Sequence, residues 1–295
     1  GDNDPSGIGT YSLAGARYGL AFAWVIILQI PMLFGIQEMC GRIGIVTGQG
    51  LATNMKKIFP WPVLYFLIIV LSIANIFNIG ANLVIMIDCA RLIVNHNGFL
   101  SALIITFFIV IIEVFIPYRI YSKILFVFSL FLVSYIITAF MVPQNWAYIL
   151  RVSCIPTFQW NRDFIVMLAA LVGTTISPYL FFWQTSQSVE ECSDNHHKDH
   201  TKAIKSCIVG TLVGMIFSQV IAFFIIVTTY STLNLKNIKN IESAYDAALA
   251  LKPLAGEFAV IIFSIGVIGA GLLGISVLAG STAYALAEIF KKKEG

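Results

Sequence analysis

The chain opens Gly1-Asp2-Asn3-Asp4-Pro5-Ser6-Gly7-Ile8-Gly9-Thr10, and the reading of this stretch decides the fold. It carries two carboxylates, a proline and three glycines, then runs into an almost wholly apolar sequence. Pro5 lacks a backbone donor and the glycines disfavour regular helix, so the backbone here is predicted to be unwound. Unwound backbone at membrane depth survives only where it lines a cavity or a site, because lipid cannot satisfy free peptide groups. A second break of the same character, Gly173-Thr174-Thr175-Ile176-Ser177-Pro178-Tyr179, lies inside another apolar segment far downstream. Interrupted helices at corresponding places in two halves of a chain point to the binding site of a transporter.

Composition around these breaks sets the class. The chain is 58% hydrophobic and 11% charged, with a mean hydropathy of +0.87, whereas soluble domains average roughly a quarter charged residues. An all-α integral membrane protein is expected, since the apolar runs are too long and continuous for the alternation of a membrane barrel. The five cysteines show no Cys-x-x-Cys spacing and imply neither a disulfide framework nor a zinc site. There is no phosphate-binding loop, nucleophile elbow or His-Glu-x-x-His, so ATP-driven transport and hydrolytic chemistry have no support. The protein is read as a non-enzyme whose partners are a lipid bilayer and a small ion rather than nucleic acid.

The apolar segments give eight crossings: a half-helix after Pro5, then 18–37, 63–87, 98–118, 124–142, 164–189, 206–233 and 258–287. Pro31 is expected to kink the first complete one. If the segment before Gly1 is cytoplasmic, 11 of the 18 Lys and Arg fall in inner loops and seven, including Arg17, Arg162 and Lys239, in outer ones. The excess favours that orientation. Residues 237–251 read as a short amphipathic helix on the outer face or as a plain connector, with Ile238, Ile241, Tyr245 and Ala248 at helical spacing.

Asp4 leads the candidate site residues. An ionisable side chain at membrane depth costs at least ~2.5 kcal/mol, which marks it as functional by default. The plainer reading is a helix cap in a water-exposed end, since Asp before Pro is a common helix start; the matching break at Ser177-Pro178 weighs against it. Thr174 and Ser177 add hydroxyl oxygens, although either can bond back to its own helix. Carboxylate, hydroxyl, carbonyl and water are hard oxygen donors, suited to Mg²⁺, Ca²⁺ or Mn²⁺. Asn75, Asn78 and Asn82 form a stripe on one helical face, where interhelical hydrogen bonding is the simpler role. Glu113 reads as paired with Arg119 or solvated. The acidic and His-rich tract 190–200 reads as a solvated cytoplasmic loop in preference to a metal sensor.

Residues 4–10, Asp-Pro-Ser-Gly-Ile-Gly-Thr, resemble the Asp-Pro-Gly-Asn-x-x-Thr signature of the first transmembrane helix of Nramp divalent-metal transporters. Gly41-Arg42-Ile43-Gly44-Ile45-Val46-Thr47-Gly48 with Leu51-Ala52 is similar to the loop after that family's second helix, and 173–179 falls where the family has Ala-x-x-Met-Pro-His. The resemblance implies a LeuT-type fold with inverted repeats and discontinuous first and sixth transmembrane helices. Residues 1–150 would then hold the first repeat, from the second half of its first helix, and 151–295 three helices of the next. A chain that begins inside the site is expected to be truncated at its start, and the repeat count implies truncation at its end too. The expected metal set is Gly1, Asp4, Gly7, Thr174 and Ser177.

Departures from the family pattern refine the expectation. The family's metal-binding Asn is replaced by Gly7, its soft Met by Ser177 and its His by Tyr179, while its acidic Asp-x-x-Glu pair falls on Ile79 and Asn82. Each change removes a soft ligand or a titratable group, which looks like the Nramp-related magnesium transporter branch. The resulting expectation is a monomeric secondary carrier in the cell membrane, of the bacterial inner-membrane type. It needs no cofactor, and Mg²⁺ foremost or Mn²⁺ is its substrate, moved without proton coupling. The alternatives are a proton-coupled Mn²⁺/Fe²⁺ importer of the ordinary Nramp type, a LeuT-fold carrier of an organic solute and, last, a structural or receptor role without transport.

Overall fold

A computed structural model describes residues 3–93, 98–115, 123, 127, 130–194, 200–239, 241 and 244–290. Helices account for nearly all of them, and there is no strand among the described residues. In chain order they are α1 (Pro5–Tyr18), α2 (Ala23–Thr47), α3 (Leu51–Lys56), α4 (Trp61–Ile93), α5 (Gly98–Phe115), α6 (Ser134–Met141), α7 (Trp146–Cys154), α8 (Arg162–Thr175), α9 (Pro178–Asp194), α10 (His200–Thr232), α11 (Ala244–Ala248), α12 (Lys252–Ala255) and α13 (Ala259–Phe290).

The breaks are narrower than the sequence suggests. Residues 5–10, expected to be unwound, already form the first turns of α1, with only Asn3 and Asp4 outside helix among the described residues of that stretch, and 173–175 still belong to α8. α1 begins at Pro5, whose missing N–H costs nothing at a first helical position. α8 ends at Thr175 and α9 starts at Pro178, leaving Ile176 and Ser177 outside helix. By contrast α2 runs through Pro31 as one element. A further break joins α6 to α7 with a 118° bend. Val142 is extended there (φ −83°, ψ 128°), as a residue before proline prefers, and the Asn145 side chain caps α7 by accepting from the Tyr148 N–H. In 237–251 Asn237 takes a left-handed conformation, and among the described residues α11 and a 3₁₀ turn at Leu249–Leu251 follow.

Five described helical segments are long and apolar enough to cross a membrane, or six if the bent α6–α7 pair counts as one span. The eight crossings expected from sequence included α1, which has 14 residues, and 98–118 and 124–142, parts of which lie outside the described residues.

Two compact units emerge. The first comprises Gly1–Gln29, Gly80–Thr175 and Phe217–Gly274, the second Ile30–Ile79, Ile176–Ile216 and Ile275–Gly295. In the first, Ile8, Tyr11, Phe22, Tyr135, Phe164, Leu171 and Phe263 share one core. The second packs Leu64, Ile68, Tyr179, Leu180 and Leu278 together. Lipid is as apolar as leucine, so such packing relies on close fit and small residues rather than on escape from water. Within the first unit a Cβ on Gly15 would lie 2.0 Å from Thr229 Oγ1 and 2.6 Å from the Ile226 carbonyl, so α1 and α10 meet backbone to backbone. Within the second, Gly44 does the same against α9, 2.4 Å from the Thr185 carbonyl.

Candidate metal site

The site grows from the first turn of α1. Asp4 caps the helix in extended conformation (φ −73°, ψ 165°), and its Oδ1 accepts from the Gly7 N–H at 2.8 Å. The Ser6 hydroxyl faces both carboxylate oxygens, at 3.0 and 3.1 Å. On α4, Asn82 closes the arrangement with a two-way bridge. Its Nδ2 donates to Asp4 Oδ2 at 2.9 Å, and its Oδ1 accepts from the Ser6 N–H at 2.9 Å. Asn82 is fully buried and Asp4 is 2% exposed. The capping role weighed from sequence is therefore real, but the cap is interior and not a water-exposed end.

Room for this turn is made by α13. A Cβ on Gly274 would lie 2.9 Å from Asp4 Cβ, and one on Gly271 would lie 2.3 Å from Met86 Sδ and 2.9 Å from Pro5 Cγ. Two glycines three residues apart on one helix face thus admit the Asp4-Pro5 backbone. Farther along α1, Tyr11 shares a 2.9 Å hydrogen bond with Thr175, the last residue of α8. Gln29 Nε2 donates to the Leu171 carbonyl one turn earlier on α8, at 3.3 Å.

Of the residues singled out from sequence, Asp4 and Gly7 are in direct contact, Gly7 through its backbone N–H. Thr174 is half-buried, and the neighbouring Thr175, fully buried, is the residue bonded to α1. Ser177 belongs to the second unit, where it is buried just before the first residue of α9 and its carbonyl accepts from the Leu180 N–H at 3.1 Å. Gly1 lies outside the described residues, as do the Glu113 side chain, Arg119 and 195–199. In the asparagine stripe, Asn82 serves Asp4, whereas Asn75, in the second unit, bonds the Leu278 carbonyl and the Ser281 and Thr282 hydroxyls. Interhelical bonding is thus the observed role of both.

Sequence reasoning missed several partners. Ser6 and Tyr11 carry ordinary hydroxyls with no distinctive spacing, and the thioether of Met86, one turn beyond Asn82, has nothing in its spacing to single it out. Glu288 is a second buried carboxylate, 6% exposed, whose Oε2 accepts from the Thr53 N–H at 2.6 Å within the second unit. It sits just past the last apolar run, which is why it was overlooked.

Among the described residues no three His, Cys, Asp or Glu side chains gather into a metal-binding group. A cation at Asp4 would therefore rely on one carboxylate with hydroxyl, amide and carbonyl oxygens, a hard donor set. A buried divalent ion needs at least one formal negative charge close by, and Asp4 supplies it.

Known proteins share this chain's sequence along nearly its whole length. It is 25% identical over 282 residues to a divalent metal cation transporter MntH of Erwinia tasmaniensis, an alignment covering 91% of this chain and 65% of the relative. It is 23% identical over 292 residues to the MntH of Pectobacterium carotovorum subsp. carotovorum, covering 94% and 67%. With the MntH of Verminephrobacter eiseniae the identity is 24% over 284 residues, covering 91% and 62%. The chain thus spans about two thirds of the length of the curated relatives it matches. The Nramp profile, described as natural resistance-associated macrophage protein-like, matches residues 1–294, and the chain belongs to that family.

Proposed function

We propose that this chain is the greater part of a divalent metal cation transporter, with Asp4 as the charged ligand of the transported ion. The observation that carries the reading is a buried carboxylate at a helix start, oriented by the Gly7 N–H, Ser6 and Asn82. The relatives named as divalent metal cation transporters support the same class. Gly7, Thr174, Ser177 and Gly1 are proposed to line the ion's path, on the sequence argument for two interrupted helices. Alternating access in a LeuT-type fold and residence in a bacterial inner membrane belong to the same proposal.

The finer choice is between two ions. The relatives' names speak for the ordinary Nramp alternative and do not single out Mg²⁺. Two residues outside the sequence inventory also lean that way: Met86 offers a thioether beside Pro5, and Glu288 offers a buried titratable group. The reading with Mg²⁺ foremost and no proton coupling rests on Ser177 where the family has Met and on Ile79 and Asn82 where it has acids. Uptake of Mg²⁺, Mn²⁺, Ca²⁺ and alanine into proteoliposomes holding the full-length protein tests both. Metal uptake without alanine uptake is the expected result, and alanine uptake alone would overturn the assignment to metal. A clear preference for Mn²⁺ over Mg²⁺ selects the ordinary Nramp reading, since softer ligands favour the later, softer ion.

A further inference from the structure

The first unit carries a cationic cavity that metal transport leaves unexplained. It measures about 480 Å³ and is lined by Arg17, Tyr18, Asn161, Arg162, Asp163 and Lys239. Arg17 pairs with Asp163 at 3.3 Å. Among the described residues, Arg162 and Lys239 have no ion-pair partner. The lining therefore carries two net positive charges, which disfavours a divalent cation and favours an anion.

A second cavity of about 530 Å³ adjoins the first through their shared Arg17 and Tyr18, and its walls include Leu20, Tyr148, Val152 and Tyr230. Beside the cations, aromatic rings run in contact from Trp160 to Phe158 (4.7 Å), Phe158 to Phe164 (5.6 Å) and Phe164 to Tyr18 (5.8 Å). Trp160 at the head of this ladder is 89% exposed. Exposed tryptophan and tyrosine mark the level at which a membrane protein meets headgroups. Basic pockets at that level bind anionic headgroups, and the guanidinium fork matches phosphate oxygens in pairs.

We infer that the Arg162–Lys239 cavity binds a phosphate group, either that of an anionic phospholipid or soluble phosphate, at a site separate from Asp4. The adjoining aromatic cavity gives a lipid's glycerol and upper acyl carbons a place to lie. Asp163 tempers the site by holding Arg17.

Native mass spectrometry of the full-length protein, titrated with phosphatidylglycerol, phosphatidylcholine and inorganic phosphate, tests this. Wild type should prefer phosphatidylglycerol over phosphatidylcholine, and Arg162→Gln with Lys239→Gln should lose that preference. A drop of roughly 25-fold is expected, since each of the two basic side chains near an anionic surface is worth a factor of about five. Asp163→Asn should strengthen binding by releasing Arg17. Lys236→Gln, on the nearby turn and outside the cavity, should match wild type. Inorganic phosphate that displaces phosphatidylglycerol from wild type, and does not bind the double variant, would identify a soluble ligand for the same site. The inference is overturned if the double variant keeps the wild-type preference and phosphate binding, or if Lys236→Gln loses as much. Metal uptake does not enter the readout, so failure here leaves the transport reading intact.

Discussion

Tyr11 and Thr175 join the two interrupted helices of the first unit by a buried hydrogen bond of 2.9 Å. Thr175 also bonds the Leu171 carbonyl at 2.9 Å, which uses its one hydroxyl proton. The Tyr11 hydroxyl is therefore the donor. Each of Tyr11→Phe and Thr175→Val should lower thermal stability in detergent. The double variant should lose less than the sum of the two, with a coupling of about 0.5–1.5 kcal/mol. Full additivity in the melting series would show that the two side chains do not depend on each other.

Asp4→Ala should abolish metal uptake. The lost cap costs about 0.5–2 kcal/mol, a small part of the stability of about 5–15 kcal/mol typical of a folded protein, so the protein should still purify as a monodisperse species. Asn82→Leu should retain transport with a raised KM for metal, by roughly 10–100-fold, the usual range when a group that orients a ligand is lost. Wild-type KM in Asn82→Leu would mean that the bridge to Asp4 has no part in binding.

Gly274→Ala places a methyl group 2.9 Å from Asp4 Cβ, closer than a packed interior tolerates. It should cost about 1–3 kcal/mol of stability, as overpacking does. Gly210→Ala is the control: nothing lies within 4 Å of the new methyl, so it should be neutral or gain up to ~1 kcal/mol from helix propensity. Equal melting temperatures for the two variants would argue against a close approach of α13 to the first turn.

Ser177→Met combined with Gly7→Asn should move ion preference from Mg²⁺ toward Mn²⁺ and Cd²⁺, since a thioether favours softer ions and a hydroxyl leaves room for an ion's water. Uptake competition curves for the two ions, taken before and after the change, provide the check. An unaltered ratio places selectivity elsewhere, and Met86→Leu is then the variant to measure.

Proton movement separates the two ion readings. Liposomes loaded with a pH-sensitive dye should stay neutral during metal entry if transport is uncoupled. An inside-negative potential should then drive uptake by ~2.3 kcal/mol per charge per 100 mV. Acidification that follows metal entry and vanishes in Asp4→Ala establishes coupling. Glu288→Gln then asks whether the buried carboxylate of the second unit takes part.

Both helix starts at prolines were legible because proline acts locally: it has no N–H to give, whatever surrounds it. The same holds for the bend at Pro143, where the predicted span ended at residue 142, although α7 beyond it was not foreseen. Partners set by tertiary packing were not legible. Asn82 and Asn75 stand on one stripe of one helix, yet one orients a carboxylate and the other ties α4 to α13. Nothing in their spacing separates those roles. Gly271 and Gly274 were hidden for another reason: glycine is common in membrane helices, and only the neighbouring Pro5 and Asp4 reveal which ones matter.

On the proposed transport cycle, the donors around Asp4 bear on the half that carries no cargo. A carrier that has released its ion must return with the carboxylate still interior, and a bare interior charge would oppose that return. The Gly7 N–H, the Ser6 hydroxyl and the Asn82 amide all belong to the protein and do not leave with the ion. Under that proposal these donors partner the negative charge once the ion has gone. Weakening those donors is expected to slow the empty return more than the loaded passage, so that exchange of metal for metal outlasts net uptake.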